Sequence, residues 1–282
     1  MSKYSSYTVT VLSGCDIVKY LQDFTKTQNF QAAFVVRCIG QVTKATLRMA
    51  ESWKAHEPVK EVLDLAKIES LVGTVSGGIG HLHASLRTQN GEVIGGHVFG
   101  PLIASGNVEI VIGECEDLVF ARPHDERTGF PELAVLERNA QSNVQAETQE
   151  TIAHEKIDIK NSSQSHSAAD KSSTNAYALR LVPGEEIGNG LDNFVLKHKL
   201  KEPFIMTCVG SVTKAVLTLK DDNTKVLTME GYYEIVSLLG TPKNLQISLS
   251  HKDGNVTIGH VTGELIVFTT AEIVLGQKSS SE

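Results

Sequence analysis

The chain has 282 residues, 41% of them apolar and 21% charged, with 23 Gly against 7 Pro. This is the make-up of a folded chain of about two domains at roughly 100–200 residues each, and it excludes a collagen-like, disordered or single disulfide-stapled molecule. The 33 acidic and 26 basic side chains leave a net charge of −7, which opposes a broad phosphate-binding surface unless the bases gather on one face.

From the N-terminus, the Met1-Ser-Lys-Tyr-Ser-Ser start carries no apolar secretory core, and no apolar run approaches the ~20 residues of a membrane span. The expectation is an intracellular protein, cytoplasmic or nuclear, with no membrane partner. A first strand leads to a turn at Gly14. Ile17, Tyr20, Leu21 and Phe24 then recur at i, i+3, i+4 and i+7, the spacing of an amphipathic helix laid on a sheet. Phe34 to Leu47 is rich in β-branched and apolar residues and reads as strand. Gly77-Gly78-Ile79-Gly80 lacks the Lys-Ser/Thr of a P-loop and reads as a strand connection. Leu82 to Leu86 and Val93 to Val98 flank Asn90-Gly91, a signal for an antiparallel hairpin. The four cysteines, Cys15, Cys38, Cys115 and Cys208, form no C-x-x-C pair, so a reducing compartment is expected and neither a disulfide framework nor a thiolate zinc site is indicated.

Between about Glu137 and Asn175 the composition turns to Ser, Gln, Asn, Glu and Lys. Such a stretch buries too little apolar area to offset its ordering entropy and reads as a polar flexible linker. Across it the chain repeats itself. FVVRCIGQVTKATL from Phe34 recurs as FIMTCVGSVTKAVL from Phe204, and the match runs back without a gap through Phe24 and Phe194, Leu21 and Leu191, Gly14 and Gly184, to Tyr7 and Tyr177. Further on, GEVIGGHVFG from Gly91 matches GNVTIGHVTG from Gly254, and VEIVIGE from Val108 matches AEIVLGQ from Ala271. Two copies of about 100 residues each can hold separate cores. The domains expected are therefore 4–137, a linker over 138–175, and 176–278. Each should be α+β, a mainly antiparallel sheet with a covering helix.

Glu69 in IESLVGTVS, GHLHASL from Gly80, GEVIGGHVFG and VEIVIGE together give the first copy its character, and over Tyr7 to Leu136 it resembles the plants-and-prokaryotes conserved domain. The closing FARPHDERTGFPELAVLE, with Asp125, Thr128-Gly129-Phe130 and Glu132-Leu133, is similar to the tail of the stand-alone prokaryotic type. The second copy keeps YEIVSLLGT, NLQISL, GHVTG and TAEIVL and resembles a diverged member without that tail. The resemblance implies an α/β domain that assembles as a homotrimer. If like copies packed with like, three chains would close into two stacked rings. In plants the domain is joined to AT-hook peptides, so a DNA partner comes by analogy alone; the Arg-Gly-Arg-Pro core of an AT-hook does not occur in this sequence.

His81 and His83 are two apart in a strand and so share a face. With His97 on the partner strand, three neutral imidazoles would form an open zinc site, and the resemblance carries the role of metal ligand to each of these three residues. One objection stands. A two-residue Asn90-Gly91 turn would set His97 opposite Ala84 and turn it away from His83, unless a bulge at Gly95-Gly96 shifted the register. The competing account is that the three are exposed hairpin histidines or satisfied polar groups at an oligomer contact. Their equivalents in the second copy are Asn244, Gln246 and His260, so any transition metal should bind the first domain only, leaving the second structural.

Glu69 and Glu234, like Glu109 and Glu272, are read either as acid/base or metal-supporting carboxylates or as structural ones. Lys44 and Lys214 are read as guards of a sheet edge. The cluster from Lys197 to Lys201 is read as a complement to a helix C-terminus, and His124-Asp125 as part of a turn rather than a catalytic pair. No catalytic residue and no organic-cofactor site is assigned. The leading reading is a non-enzymatic, self-associating binding and assembly protein with zinc as its candidate ion. The alternatives are a metal-dependent enzyme on a small polar substrate and a DNA-associated regulator.

Overall fold

A computed structural model describes residues 1–50, 59–138, 167–170, 174–219 and 222–278. The first copy runs β1 (Ser2–Val11), α1 (Ile17–Thr27), β2 (Ala33–Arg48), β3 (Val59–Val62), β4 (Ala66–Ser76), β5 (Ile79–Thr88) and β6 (Val93–Cys115). A tail of four short strands follows: β7 (Leu118–Ala121), β8 (His124–Asp125), β9 (Phe130–Pro131) and β10 (Ala134–Glu137). The second copy holds β11 (Ser167–Asp170), β12 (Thr174–Leu181), α2 (Ile187–His198), β13 (Phe204–Leu219), β14 (Asp222–Thr241), β15 (Asn244–Ser250) and β16 (Val256–Lys278).

Each helix begins where a carboxylate can take up its first free amides. Asp16 accepts from Val18 N at 3.0 Å, and Glu186 accepts from Gly188 N at 2.9 Å and Asn189 N at 2.6 Å. Ile17, Leu21 and Phe24 of the predicted stripe are buried against the sheet. At the end of α2, Lys197 and His198 stand in the last turn and Lys199 takes a left-handed φ of 52°, so the basic cluster does complement a helix terminus.

The fold is α+β, almost wholly antiparallel. β2 pairs with β4 and β6, β4 with β5, and β5 with β6. That cycle closes on itself, and β1 lies along β6 outside it. β13, β14, β15 and β16 repeat the cycle, with β12 along β16. Closure leaves β2 and β13 no free edge, which corrects the edge-guard reading of their lysines. Lys44 instead faces Glu61 at 3.8 Å and Lys214 faces Glu264 at 2.6 Å. Each cycle encloses its own buried cluster, around Leu21, Leu47 and Ile110 in one and Leu191, Leu217 and Ile273 in the other. Most of the expected linker lies outside the described residues. Within it Ser167–Asp170 pairs with β1, and β12 starts at Thr174.

The halves meet directly. β1 pairs with β12 at Ser2↔Ala176 and Lys3↔Asn175, and a third apolar cluster joins Phe34, Phe120 and Leu133 to Ala176, Ala178 and Val274. Ser70 Oγ donates to Val236 O at 2.7 Å, Gly73 N to Thr207 Oγ1 at 3.1 Å, and Ser250 Oγ to Gly95 O at 2.6 Å. These surfaces are unlike. By the internal repeat, Thr207 corresponds to Arg37 and not to Gly73, so the first half presents one face and the second half a different one. Within one chain, then, like does not pack with like: the contact is heterologous.

Candidate metal centre

The turn before β5 is tight because Gly77 and Gly78 adopt φ of 56° and 85°, values suited to a two-residue hairpin. It launches His81 and His83 on one face of β5. Opposite them, β6 brings His97 directly across from His83, through the pairs Arg87↔Val93, Leu86↔Ile94, Ser85↔Gly95 and Ala84↔Gly96. The register expected of a two-residue turn is not adopted. Thr88 N donates to Glu92 O at 2.9 Å and Gly91 N to Thr88 O at 3.0 Å, and Gly91 has φ 87°. Gln89-Asn90-Gly91 is therefore a three-residue loop ending in a left-handed glycine. The one-residue shift sits in that loop and not in a bulge at Gly95-Gly96. Those two glycines serve close approach instead. A Cβ on Gly95 would stand 2.9 Å from Val256 Cγ2, and one on Gly96 would stand 2.8 Å from Arg48 O.

His81 Nε2 and His83 Nε2 are 3.3 Å apart, and His83 Nε2 and His97 Nδ1 3.2 Å apart. Two nitrogens bound tetrahedrally at about 2.05 Å to one zinc would be separated by about 3.3 Å, so two of the three donor separations fit that ion, and all three donors lie within 4.8 Å of one another. Protons do not obstruct it. His83 Nδ1 lies 2.8 Å from the carbonyl of Ile235, which can only accept, and this leaves a lone pair at Nε2. His81 Nδ1 lies 2.9 Å from Glu272 Oε1, which does the same for His81. Imidazoles oriented from behind by a carbonyl and a carboxylate are the usual support of a ligating histidine. Burial holds His83 and His97 well below the ordinary imidazole range, and the neighbouring histidines add to the effect; both rings are neutral and able to donate at neutral pH.

The support comes from across the domain boundary. Glu272 of β16 is fully buried and takes a bidentate grip from Arg122, through Nη1 to Oε1 and Nη2 to Oε2, while Arg122 Nη2 also donates to Thr74 Oγ1 at 2.6 Å. Burial pulls the Glu272 carboxyl upward, but His81 and Arg122 outweigh it and hold the group well below the usual carboxylate range. Glu234 of β14 places Oε2 3.6 Å from His83 Nε2, and burial pushes its carboxyl up to about 7. The second half thus supplies the hydrogen-bond partners behind His81 and His83.

In that second copy Gln246 pairs across the hairpin with His260, just as His83 pairs with His97. Asn244 and His260 are exposed. Among the described residues, His81, His83 and His97 are the one group of three or more His, Cys, Asp or Glu whose ligand atoms converge, all within 4.8 Å. Asp125, by contrast, pairs with Arg127 of the tail at 2.6 Å and with Arg180 of β12 at 2.8 Å, and His124 stands apart from the cluster. Sequence reasoning missed Arg122 and Arg48, which lies opposite His97 in the β2–β6 ladder. The only signal for Arg122 was its place at the head of the tail motif, and Arg48 gave none.

Both halves match one family model, described as the Plants and Prokaryotes Conserved (PCC) domain, over residues 1–116 and 168–278. The bifunctional protein GlmU of Synechococcus sp. (strain JA-3-3Ab) is 35% identical over 107 residues, which cover 36% of this chain and 17% of that protein. AT-hook motif nuclear-localized protein 16 of Arabidopsis thaliana is 34% identical over 124 residues, covering 42% of this chain and 47% of that protein. The chain spans less than half the length of these curated relatives. Among solved structures, a hypothetical protein from Salmonella cholerae-suis shows 27% identity and a TM-score of 0.46, covering 49% of this chain and 97% of that one.

The ion pair at the boundary generates a prediction with a defined pH window. A carboxyl whose folded-state pKa is depressed stabilises the protein above its unfolded pKa, and that contribution fades as pH falls through the folded value. Arg122→Gln leaves Glu272 buried with one partner fewer and should cost about 3–5 kcal/mol near neutral pH. The deficit should shrink as pH falls through the usual carboxylate range, because the stranded carboxyl then takes up a proton. Urea midpoints of wild type and variant across that range are the measurement; equal midpoints near neutrality would contradict the role of the pair.

Proposed function

The chain belongs to the plants and prokaryotes conserved domain family in both of its halves, and from that premise we propose that it is a binding and assembly protein whose first half holds zinc on His81, His83 and His97 while its second half braces the site. The observation that carries this reading is the donor geometry: three imidazole nitrogens within 4.8 Å of one another, adjacent ones 3.2 and 3.3 Å apart, with acceptors behind two of the rings that place the proton of the neutral ring on the far nitrogen. Bound there, zinc supplies a Lewis acid with a fourth position for an oxygen ligand. The protein's own part is to keep His83 and His97 neutral by burial, to orient His81 through Glu272, and to keep Glu272 charged through Arg122.

A second reading, a metal-dependent enzyme on a small polar substrate, is favoured by one observation. Glu234 is a half-buried carboxyl beside the cluster, pushed up to about 7 by desolvation, the range in which a general base works at neutral pH. DNA is not the ligand we assign: the Arabidopsis relative is named for an AT-hook motif, whereas this sequence has no Arg-Gly-Arg-Pro and a charge of −7.

The same heterologous contact supports a reading of self-association. The first half leaves exposed Glu109, the counterpart of Glu272, and Lys67, which the strand register sets at the place of Glu234, and the second half leaves Asn244 and His260 exposed. A domain from another copy would find Glu109 at the place of Glu272 on the one face and His260 at the place of His97 on the other.

Two outcomes check the proposal. Zinc titrated into metal-free full chain should saturate at one ion per chain; His83→Asn should abolish uptake and His260→Asn should leave it intact. Two ions per chain, or none with all three histidines present, would overturn the zinc reading. In sedimentation, wild type should run as an oligomer and Glu109→Arg as a smaller species, and a wild type that stays monomeric would end the assembly reading.

A further inference from the structure

A cavity of about 410 Å³ opens between the two halves beside the histidine cluster, within the size range of small-molecule sites. One end is polar and holds the three histidines and Arg48. The rest is walled largely by side chains with apolar faces: Ile79, Phe130 and Pro131 from the first half, Tyr232 and Phe268 from the second. Tyr232 and Phe268 pack with ring centroids 4.4 Å apart and form a continuous aromatic surface. Ile79 and Phe130 are 58% and 43% exposed, large apolar side chains left open to solvent at the rim.

The charges at the polar end do not cancel. Arg122 is taken up by Glu272 and Thr74. Of the two acids bordering the cavity, Glu132 faces Arg180 at 4.0 Å; Glu234 stands 3.6 Å from the lone pair of His83 Nε2 and feels the charges of His81 and Arg48. Arg48 differs. Its guanidinium lies over the Phe99 ring, 5.4 Å from the centroid, and among the described residues no carboxylate pairs with it. A guanidinium stacked on an aromatic ring keeps its in-plane donors for an anion.

We propose that the cavity takes a small aromatic carboxylic acid, its carboxylate seated at the end formed by Arg48 and the histidine-bound ion and its ring against Tyr232, Phe268 and Phe130. Single charge and flat apolar body both follow from the walls. An arginine with no carboxylate in ion-pair contact, beside one open metal position, suits a monoanionic head, and the aromatic remainder offers a second anion few partners. The proposal rests on the zinc reading for one of its two head-group contacts; Arg48 supplies the other independently.

The test uses 2-naphthoate as probe and 2-naphthylmethanol as its neutral counterpart, titrated calorimetrically into the full chain both zinc-loaded and metal-stripped. The loaded protein should bind naphthoate at least about tenfold more tightly than the alcohol, and Arg48→Gln should lose about tenfold while taking up the same zinc. Stripped protein should keep a weaker binding that still depends on Arg48. Should Arg48→Gln fail to fold, Phe268→Ala carries the test, with naphthoate weakened and acetate unchanged. Zinc uptake without naphthoate binding, equal binding of acid and alcohol, or Arg48→Gln binding like wild type would overturn this inference alone. Arg48-dependent binding in a protein that takes up no zinc would uphold it and sink the zinc reading instead.

Discussion

Glu272 carries its charge with no exposure to solvent, clamped by Arg122 and touching His81, both from the other half of the chain. A buried carboxylate is tolerable only when paired, and removing either partner strands the other. That constraint makes the two halves one functional unit. It fixes the tail that carries Arg122 against β16, it sets the tautomer of His81, and it brings β14 close enough for Ile235 to do the same for His83. The cavity beside the cluster exists because the domains meet there, with one wall from each.

Divergence of the copies reads naturally in these terms. Both keep the closed four-stranded cycle and the flanking helix, so the fold did not need the histidines. What changed is which face each copy offers. The first retains the imidazoles and the second the acids beside them, Glu234 and Glu272, while the corresponding positions of the first hold Lys67 and Glu109, both exposed, and the positions of His81 and His83 hold Asn244 and Gln246 in the second. A head-to-tail contact permits this division of labour, since each copy uses only one of its two faces within the chain.

The repeat, the helix stripe of Ile17, Leu21 and Phe24, and the hairpin around Asn90-Gly91 were legible because each is a local pattern. The histidines were legible as a trio. Their register was not, because a two-residue and a three-residue loop share the same Asn-Gly signature, and the difference lies in the hydrogen bond from Thr88 to Glu92. Ring closure escaped as well: it depends on β2 meeting both β4 and β6, a pairing between distant segments that no periodicity reports. Glu272 was visible as half of a repeated pair, but its partners Arg122 and His81 lie 150 and 191 residues away, and only the packing of the halves joins them.

The most direct test of this account is the zinc affinity of Glu272→Gln in the intact chain. Glutamine keeps the shape and can still accept from His81, but it removes the charge that orients and polarises that ring. The account predicts that one ion still binds, with affinity lowered by about 10–100-fold. Affinity equal to wild type would show that the second half does not act on the centre, and would contradict the claim that the two copies form it together.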